Sequence, residues 1–130
     1  PEDRVAITTT AKAVLESQSD VGICLDTDAD RTGLVDASGR LLNRNALIAL
    51  VSKIALNGLT DGVIVTDSAT SNGLTAYIQE GLGGRYRHIR YKKGYRHVIE
   101  LGRGTEGCVA AVECSGHGAW RDNGWVDDGC

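Results

Sequence analysis

The run Val21-Gly22-Ile23-Cys24-Leu25 is followed at once by Asp26-Thr27-Asp28-Ala29-Asp30-Arg31, and these eleven residues are the most informative part of the chain. The apolar run is short and continuous, which predicts a fully buried strand. The segment behind it, the acidic loop (residues 26–31), carries three carboxylates at alternating positions and then a guanidinium. A strand that opens into such a loop gathers several oxygen ligands around one point. This arrangement suits Mg²⁺.

The spacing of the acidic loop leaves other interpretations open. Three carboxylates that lie close together repel one another strongly without a cation between them, but an acidic turn with its side chains in water has the same spacing. An EF-hand loop does not fit, because its sixth residue is Gly and its twelfth is Glu, and here these are Arg31 and Ala37. A phosphatase with an aspartate nucleophile also carries D-x-D behind a buried strand. Asp26 as a nucleophile is therefore a second hypothesis.

The composition argues against several classes of function. The 130 residues fit one ordinary domain or two small ones, and the net charge of −3 provides no basic surface for nucleic acid. No apolar run approaches the roughly 18 residues of a membrane span, and no signal peptide opens the chain. We therefore expect neither a nucleic acid nor a membrane as a partner. Four scattered cysteines without C-x-x-C spacing favour a reducing, cytoplasmic setting, with an organelle stroma as the alternative.

Helical and strand patterns alternate along the whole chain. Helical spacing of apolar residues marks segments near residues 7–15, 43–55, 74–82 and 95–101, and strand patterns mark residues 21–25, 33–36, 62–66, 86–91 and 108–112. Asn43 is a plausible N-cap for the second helix. This order predicts an α/β fold of two layered units with mixed, largely parallel sheets. A boundary near residue 60 would divide the chain into domains of residues 1–59 and 60–130.

Two further loops could carry chemistry. The Glu113 loop (residues 113–117) reads Glu-Cys-Ser-Gly-His and follows an apolar run. Its carboxylate could accept hydrogen bonds from two neighbouring sugar hydroxyls, although Glu113 and Ser115 could equally cap the next segment, with His117 on the surface. The turn containing Lys93 and Tyr95 could meet a phosphate, but short basic turns are usually only solvated.

Taken together and in this order, these segments resemble the α-D-phosphohexomutases, the family that includes phosphoglucomutase and phosphomannomutase. The resemblance covers essentially the whole chain. It rests on D-x-D-x-D-R in the acidic loop, E-x-S-G-H about eighty residues later, and D-D-G at residues 127–129. The pattern departs at Tyr95, where some members carry histidine, and at Val112, where glycine is common.

The resemblance implies a four-domain architecture of which this chain covers most of the second and third domains. The chain contains no Met and begins with Pro1, so we expect it to be an excerpt of a longer protein. Residues 1–59 would form a metal-binding domain, incomplete at its N-terminus. Residues 60–130 would form a sugar-binding domain, incomplete at its C-terminus.

The resemblance also implies a function and its residues. The enzyme would interconvert hexose 1-phosphate and hexose 6-phosphate through a bisphosphorylated intermediate of the glucose 1,6-bisphosphate type. Mg²⁺ and a phosphoserine from outside this chain would serve the reaction, and the isolated chain would be inactive. The implied metal ligands are Asp26, Asp28 and Asp30; Arg31 would face the phosphoryl group; and the hexose phosphate would be bound by Glu113, Ser115, His117, Lys93 and Tyr95. A non-catalytic remnant that only binds sugar phosphate or metal remains a third hypothesis, and the sequence leaves hexose preference and oligomeric state open.

Overall fold

The computed structural model describes residues 3–129, in which helices and strands alternate over most of the length. The helices are α1 Arg4–Ser17, α2 Arg44–Ala55, α3 Asn72–Ala76 and α4 Tyr95–Gly104, and α3 continues directly into a π-helical turn, Tyr77–Gly81. The strands are β1 Val21–Leu25, β2 Thr32–Asp36, β3 Asp61–Asp67, β4 Arg85–Tyr91, β5 Cys108–Val112 and β6 Gly118–Trp120. Within the described residues, no helix is both long enough and apolar enough to cross a membrane.

The strands form two sheets. In the larger sheet the order is β4-β3-β5-β6, with β3 parallel to both β4 and β5 and with β6 antiparallel at the edge. In the smaller sheet β1 and β2 form an antiparallel ribbon. The predicted α/β fold with a mixed, largely parallel sheet is confirmed. Strand β6 was not predicted, because its three residues are too few to show an alternation.

Strands β3 and β5 form the centre of the core. Every residue of β5 is buried, and so are all of β3 except its first residue. On one face, Ile64 of β3 packs with Ile48 of α2 and Ile78 of the π-helical turn. On the other face, Val65 packs with Val98 of α4. Helices therefore cover both faces, which explains why these two strands are continuous apolar runs.

The helix signals in the sequence act as expected. The Asn43 side chain accepts a hydrogen bond from the Ala46 amide at 3.0 Å, so it caps α2 as predicted. Asp3 caps α1 in the same way by accepting from Val5 and Ala6. Helix α2 packs against the core of the larger sheet through Ile48, and Leu56, which directly follows the helix, packs in the same core. The division of the chain at residue 60 stays a prediction about the domains of a longer protein.

The prediction that β1 is fully buried is wrong. Only Cys24 of this strand is buried, whereas Val21, Ile23 and Leu25 are 48%, 62% and 38% exposed. The reason is that β1 belongs to a two-stranded ribbon, and its contacts with helices are mainly those with α1. Ile23 and Leu25 line one side of an apolar cavity of about 530 Å³, and α2 lines another side.

His88 on β4 is a partly buried histidine that lies between two threonine hydroxyls. Its two ring nitrogens face the hydroxyls of Thr66 and Thr75 at 2.7 and 2.9 Å. Burial, together with the charge of Arg90, lowers the pKa of His88 from 6.5 to about 4. The neutral ring is therefore the form that suits the folded chain.

We predict that His88 makes the folded chain less stable as the pH falls from about 6.5 to about 4. In that window the unfolded chain takes up a proton that the folded chain does not, so protonation favours unfolding. The measurement is the urea midpoint of the unmodified chain and of His88→Gln between pH 7.5 and 4. The midpoint of the unmodified chain should fall more steeply. Parallel curves would contradict the prediction.

Candidate active site

The acidic loop is closed by Arg31. The Arg31 amide donates to Asp26 Oδ1 at 3.2 Å, and its Nε donates to Asp26 Oδ2 at 2.5 Å and lies 3.6 Å from Asp30 Oδ1. Ala29 takes a positive φ of 61° in the turn between them. This turn brings one carboxylate oxygen from each of Asp26, Asp28 and Asp30 within 4.8 Å of the others. The three predicted metal ligands therefore do converge.

The charges of the acidic loop affect one another. Burial raises the pKa of Asp26, but the hydrogen bonds and charge of Arg31 outweigh it, so the net shift is downward. In return, the hydrogen bond and charge of Asp26 raise the pKa of Arg31. Both groups are therefore held in their charged forms. Three convergent carboxylates are hard oxygen donors, which is the ligand chemistry that Mg²⁺ prefers. The residues present thus fit this ion.

The Glu113 loop is a tight turn between β5 and β6. The Glu113 amide donates to the His117 carbonyl at 2.9 Å, and the Gly116 amide donates to the Glu113 carbonyl at 2.9 Å. The Glu113 side chain is buried, and its Oε2 accepts from the amide of Ser115 at 3.0 Å and from the hydroxyl of Ser115. The carboxylate therefore does cap its own turn, and it holds the Ser115 hydroxyl beside it.

His117 joins the two loops. Its ring stacks on that of Tyr95, with centroids 4.1 Å apart and planes 13° from parallel. Its Nδ1 lies 2.9 Å from Asp127 Oδ2 and 3.6 Å from Asp30 Oδ2. Burial raises the pKa of Asp127, and the nearby His117 opposes this only in part. Asp30 thus faces the other carboxylates of the acidic loop on one side and His117 on the other.

Backbone contacts bring the acidic loop and the Glu113 loop together. The Thr32 amide, just after the acidic loop, donates to the Gly116 carbonyl at 3.4 Å, and the Gly129 amide donates to the Ala29 carbonyl at 3.1 Å. Arg44 at the start of α2 donates from Nη1 to the Thr32 carbonyl at 2.7 Å. A Cβ on Gly116 would lie 2.9 Å from the Thr32 carbonyl oxygen. The two loops can meet this closely because Gly116 has no side chain.

Most of the predicted site residues lie in one place, and the role of Lys93 and Tyr95 in binding the substrate stays a prediction. Lys93 is exposed, and within residues 3–129 no hydrogen bond or ion pair joins it to either loop. Tyr95 reaches the site through its ring on His117, while its hydroxyl accepts from Arg96 Nε at 3.1 Å. Asp127 was named only as part of the D-D-G motif. Its contact with His117 arises from the antiparallel bridge between Ala119 and Asp127, which local spacing does not show.

Comparison with known proteins identifies the family. The family model for phosphoglucomutase/phosphomannomutase, alpha/beta/alpha domain III, matches residues 43–130, more than half of the chain. The chain belongs to this family. Phosphoglucosamine mutases from Dinoroseobacter shibae and Sinorhizobium medicae are 37% and 35% identical to it over 123 and 120 residues. These matches cover 93% and 91% of the chain but only 27% and 26% of the two relatives.

A solved member of the family has the same fold. The crystal structure of a phosphoglucomutase/phosphomannomutase family protein from Burkholderia thailandensis matches with a TM-score of 0.82 at 24% sequence identity. The match covers 95% of this chain and 26% of that protein. The chain therefore spans about a quarter of the length of the family members that it matches.

We predict that Gly116→Ala separates the two loops and destabilises the chain by about 1–3 kcal/mol. Gly116 has a φ of +106°, and the added methyl group would meet the Thr32 carbonyl. The measurement is the free energy of unfolding in urea, with Gly104→Ala as the matched control. Gly104 lies at the end of α4 with open space around it, so its replacement should be neutral or slightly stabilising. Equal stability of the two variants would contradict the prediction.

Proposed function

We propose that this chain forms the metal-binding and sugar-binding part of a phosphohexomutase, an isomerase that interconverts hexose 1-phosphates and hexose 6-phosphates. The observation that carries the proposal is the approach of His117 in the Glu113 loop to Asp30 in the acidic loop, beside the hydrogen bond from Thr32 to Gly116, in a member of this family. In the proposal, the phosphoserine and the main phosphate-binding loop lie in parts of the relatives that this chain does not span. The relatives are phosphoglucosamine mutases, so amino sugar phosphates belong among the substrates to be tested.

The acidic loop would stabilise the negative charge of the phosphoryl group. Asp26, Asp28 and Asp30 would hold Mg²⁺, which when bound offsets the negative charge of a phosphate. Arg31 is bonded to Asp26 through Nε, so its guanidinium stays over the loop, where it can face the transferring group. Phosphoryl transfer depends mainly on such positioning and charge stabilisation. No side chain of this loop is required to form a covalent bond.

The Glu113 loop would recognise the sugar. A carboxylate accepts hydrogen bonds from two adjacent hydroxyls whichever end of the sugar is presented first. This property suits a bisphosphorylated intermediate that must reorient between the two phosphoryl-transfer steps. Ser115 is bonded to Glu113, and His117 stands beside the acidic loop, so sugar binding and charge stabilisation would occur next to each other. Lys93 and Tyr95 would contribute at the edge of this surface, Tyr95 through His117.

The phosphatase hypothesis is not favoured. A nucleophilic aspartate needs a carboxylate oxygen directed at phosphorus, but Oδ1 of Asp26 accepts from the Arg31 amide and Oδ2 accepts from the Arg31 side chain. The relatives found by comparison are mutases. Treatment with beryllofluoride separates the two hypotheses, because an aspartyl adduct at Asp26 is expected only of the phosphatase.

We predict that Asp28→Ala weakens Mg²⁺ binding by about tenfold or more, because one of three charged ligands is lost. Isothermal titration of the unmodified chain and the variant with MgCl₂ measures the effect. The matched control is Asp122→Ala, since the Asp122 side chain is 88% exposed and its ion pair within the described residues is with its neighbour Arg121. Equal affinities for all three proteins would identify the acidic loop as a solvated turn and leave only a non-catalytic interpretation.

We predict that the 130 residues alone do not interconvert glucose 1-phosphate and glucose 6-phosphate. The reason is that the proposal assigns the phosphoserine to another part of the longer protein. A coupled assay with Mg²⁺ and added glucose 1,6-bisphosphate provides the measurement. Turnover above that of the Asp28→Ala variant would show that the chain contains a complete active site.

A further inference from the structure

Asp67, the last residue of β3, is fully buried at the edge of the sheet where the Glu113 loop begins. Strands β3 and β5 are parallel, and Thr66 pairs with Val112. The next residue along the chain is acidic in both cases: Asp67 ends β3, and Glu113 directly follows β5. Asp67 is 0% exposed and Glu113 is 5% exposed. Two acidic side chains therefore lie at the ends of neighbouring strands, below the proposed sugar-binding surface.

Asp67 contacts the residue between the two proposed sugar-binding groups. Its Oδ2 accepts a hydrogen bond from the Cys114 amide at 3.4 Å. The pKa of the Cys114 thiol is raised to about 12. Burial is the largest cause, and the hydrogen bond and charge of Asp67 come next. The thiol therefore stays protonated beside the carboxylate. Both the backbone and the side chain of Cys114 are directed at Asp67.

Among the hydrogen bonds of residues 3–129, this contact ties the turn to the central strand β3. The amides of Glu113 and Gly116 are bonded to carbonyls inside the Glu113 loop, and the amide of Ser115 is bonded to the Glu113 side chain. The amide of Cys114 instead reaches across to β3. Asp67, which accepts this hydrogen bond, therefore influences the position of the Glu113 loop relative to the sheet.

The burial of the Asp67 carboxylate is costly for the folded chain. A buried carboxylate loses its hydration, and the loss is offset only when donors replace the water. Here one oxygen has a single long hydrogen bond from an amide, and the other oxygen, Oδ1, has no hydrogen-bond partner within residues 3–129. A buried polar group with so few partners calls for an explanation other than stability. Functional sites are where such exceptions are expected.

We propose that Asp67 is a positioning residue, which holds Cys114 and thereby sets the places of Glu113 and Ser115 for binding the sugar hydroxyls of a hexose phosphate. The inference rests on the proposed function for the role of the Glu113 loop. Asp67 itself does not touch the sugar. It acts through the backbone of its neighbour, so the geometry of the loop should respond to its replacement more than the stability of the chain does.

The test compares Asp67→Ala and Asp67→Asn with the unmodified chain by NMR. In Asp67→Ala, the Cys114 amide should lose its protection from hydrogen exchange, and glucose 6-phosphate should bind about fivefold more weakly, as expected for one lost hydrogen bond. Asp67→Asn keeps an acceptor oxygen, so it should restore both the protection and the affinity. In both variants, iodoacetamide should alkylate Cys114 faster, because the contribution of the Asp67 charge to the raised pKa of the thiol is removed, although burial and Glu113 still raise it.

Asp61→Ala is the matched control. Asp61 is an exposed aspartate at the opposite end of the same strand, and its ion pair in the part of the chain that the structure describes is with Arg85 on the surface. Its replacement should change neither the Cys114 amide nor the affinity for glucose 6-phosphate. A response to Asp61→Ala as large as that to Asp67→Ala would overturn the proposal, and so would an unchanged Cys114 amide in Asp67→Ala.

The experiment also separates this inference from the proposed function. If Asp67→Ala does not fold, hydrogen exchange in the unmodified chain decides: protection of the Cys114 amide supports the link, and free exchange refutes it. If the unmodified chain binds neither Mg²⁺ nor glucose 6-phosphate, the proposed function fails. The exchange of the Cys114 amide, which needs no ligand, still shows whether Asp67 holds the loop.

Discussion

The site depends on two backbone hydrogen bonds that join loops far apart in the sequence, one from Thr32 to Gly116 and one from Gly129 to Ala29. Such short approaches leave no room for side chains. A Cβ on Gly129 would lie 2.8 Å from the backbone of Arg31, and one on Gly116 would lie 2.9 Å from the Thr32 carbonyl oxygen. These contacts are between backbone atoms, and they bring together the segments that carry the charged groups of the site.

The charges around this contact form one connected set. Arg31 is bonded to Asp26 and lies near Asp30, while His117 lies between Asp30 and Asp127. In this set the carboxylates of Asp26, Asp30 and Asp127 outnumber the basic side chains of Arg31 and His117. A site of this kind favours a divalent cation. The same contacts place His117, and the Glu113 loop with it, directly beside that position, so a change in one loop will be felt in the other.

Much of this arrangement could be predicted from the sequence. The apolar runs of β3 and β5 indicated strands, and Asn43 indicated the start of α2. The acidic loop and the Glu113 loop each contain their chemistry within six residues. Other features were not predictable. The runs of β1 and β5 look alike, but β1 belongs to a two-stranded ribbon and remains largely exposed. Lys93 lies in a basic turn that could meet a phosphate, but no hydrogen bond or ion pair joins it to the site within the described residues.

Features that depend on residues close together in the sequence could be predicted from it, whereas features that depend on contacts between distant residues could not. The order of helices and strands, the helix caps and the ligand chemistry of each loop come from the sequence alone, because they depend on neighbouring residues. The tertiary structure alone decides that Tyr95 covers His117, that Asp127 faces the same ring, and that Asp67 holds Cys114 from 47 residues away. These pairs meet only because parallel strands end at one edge of the sheet and because glycines let the loops above that edge touch. Neither condition is visible in the spacing of residues along the chain.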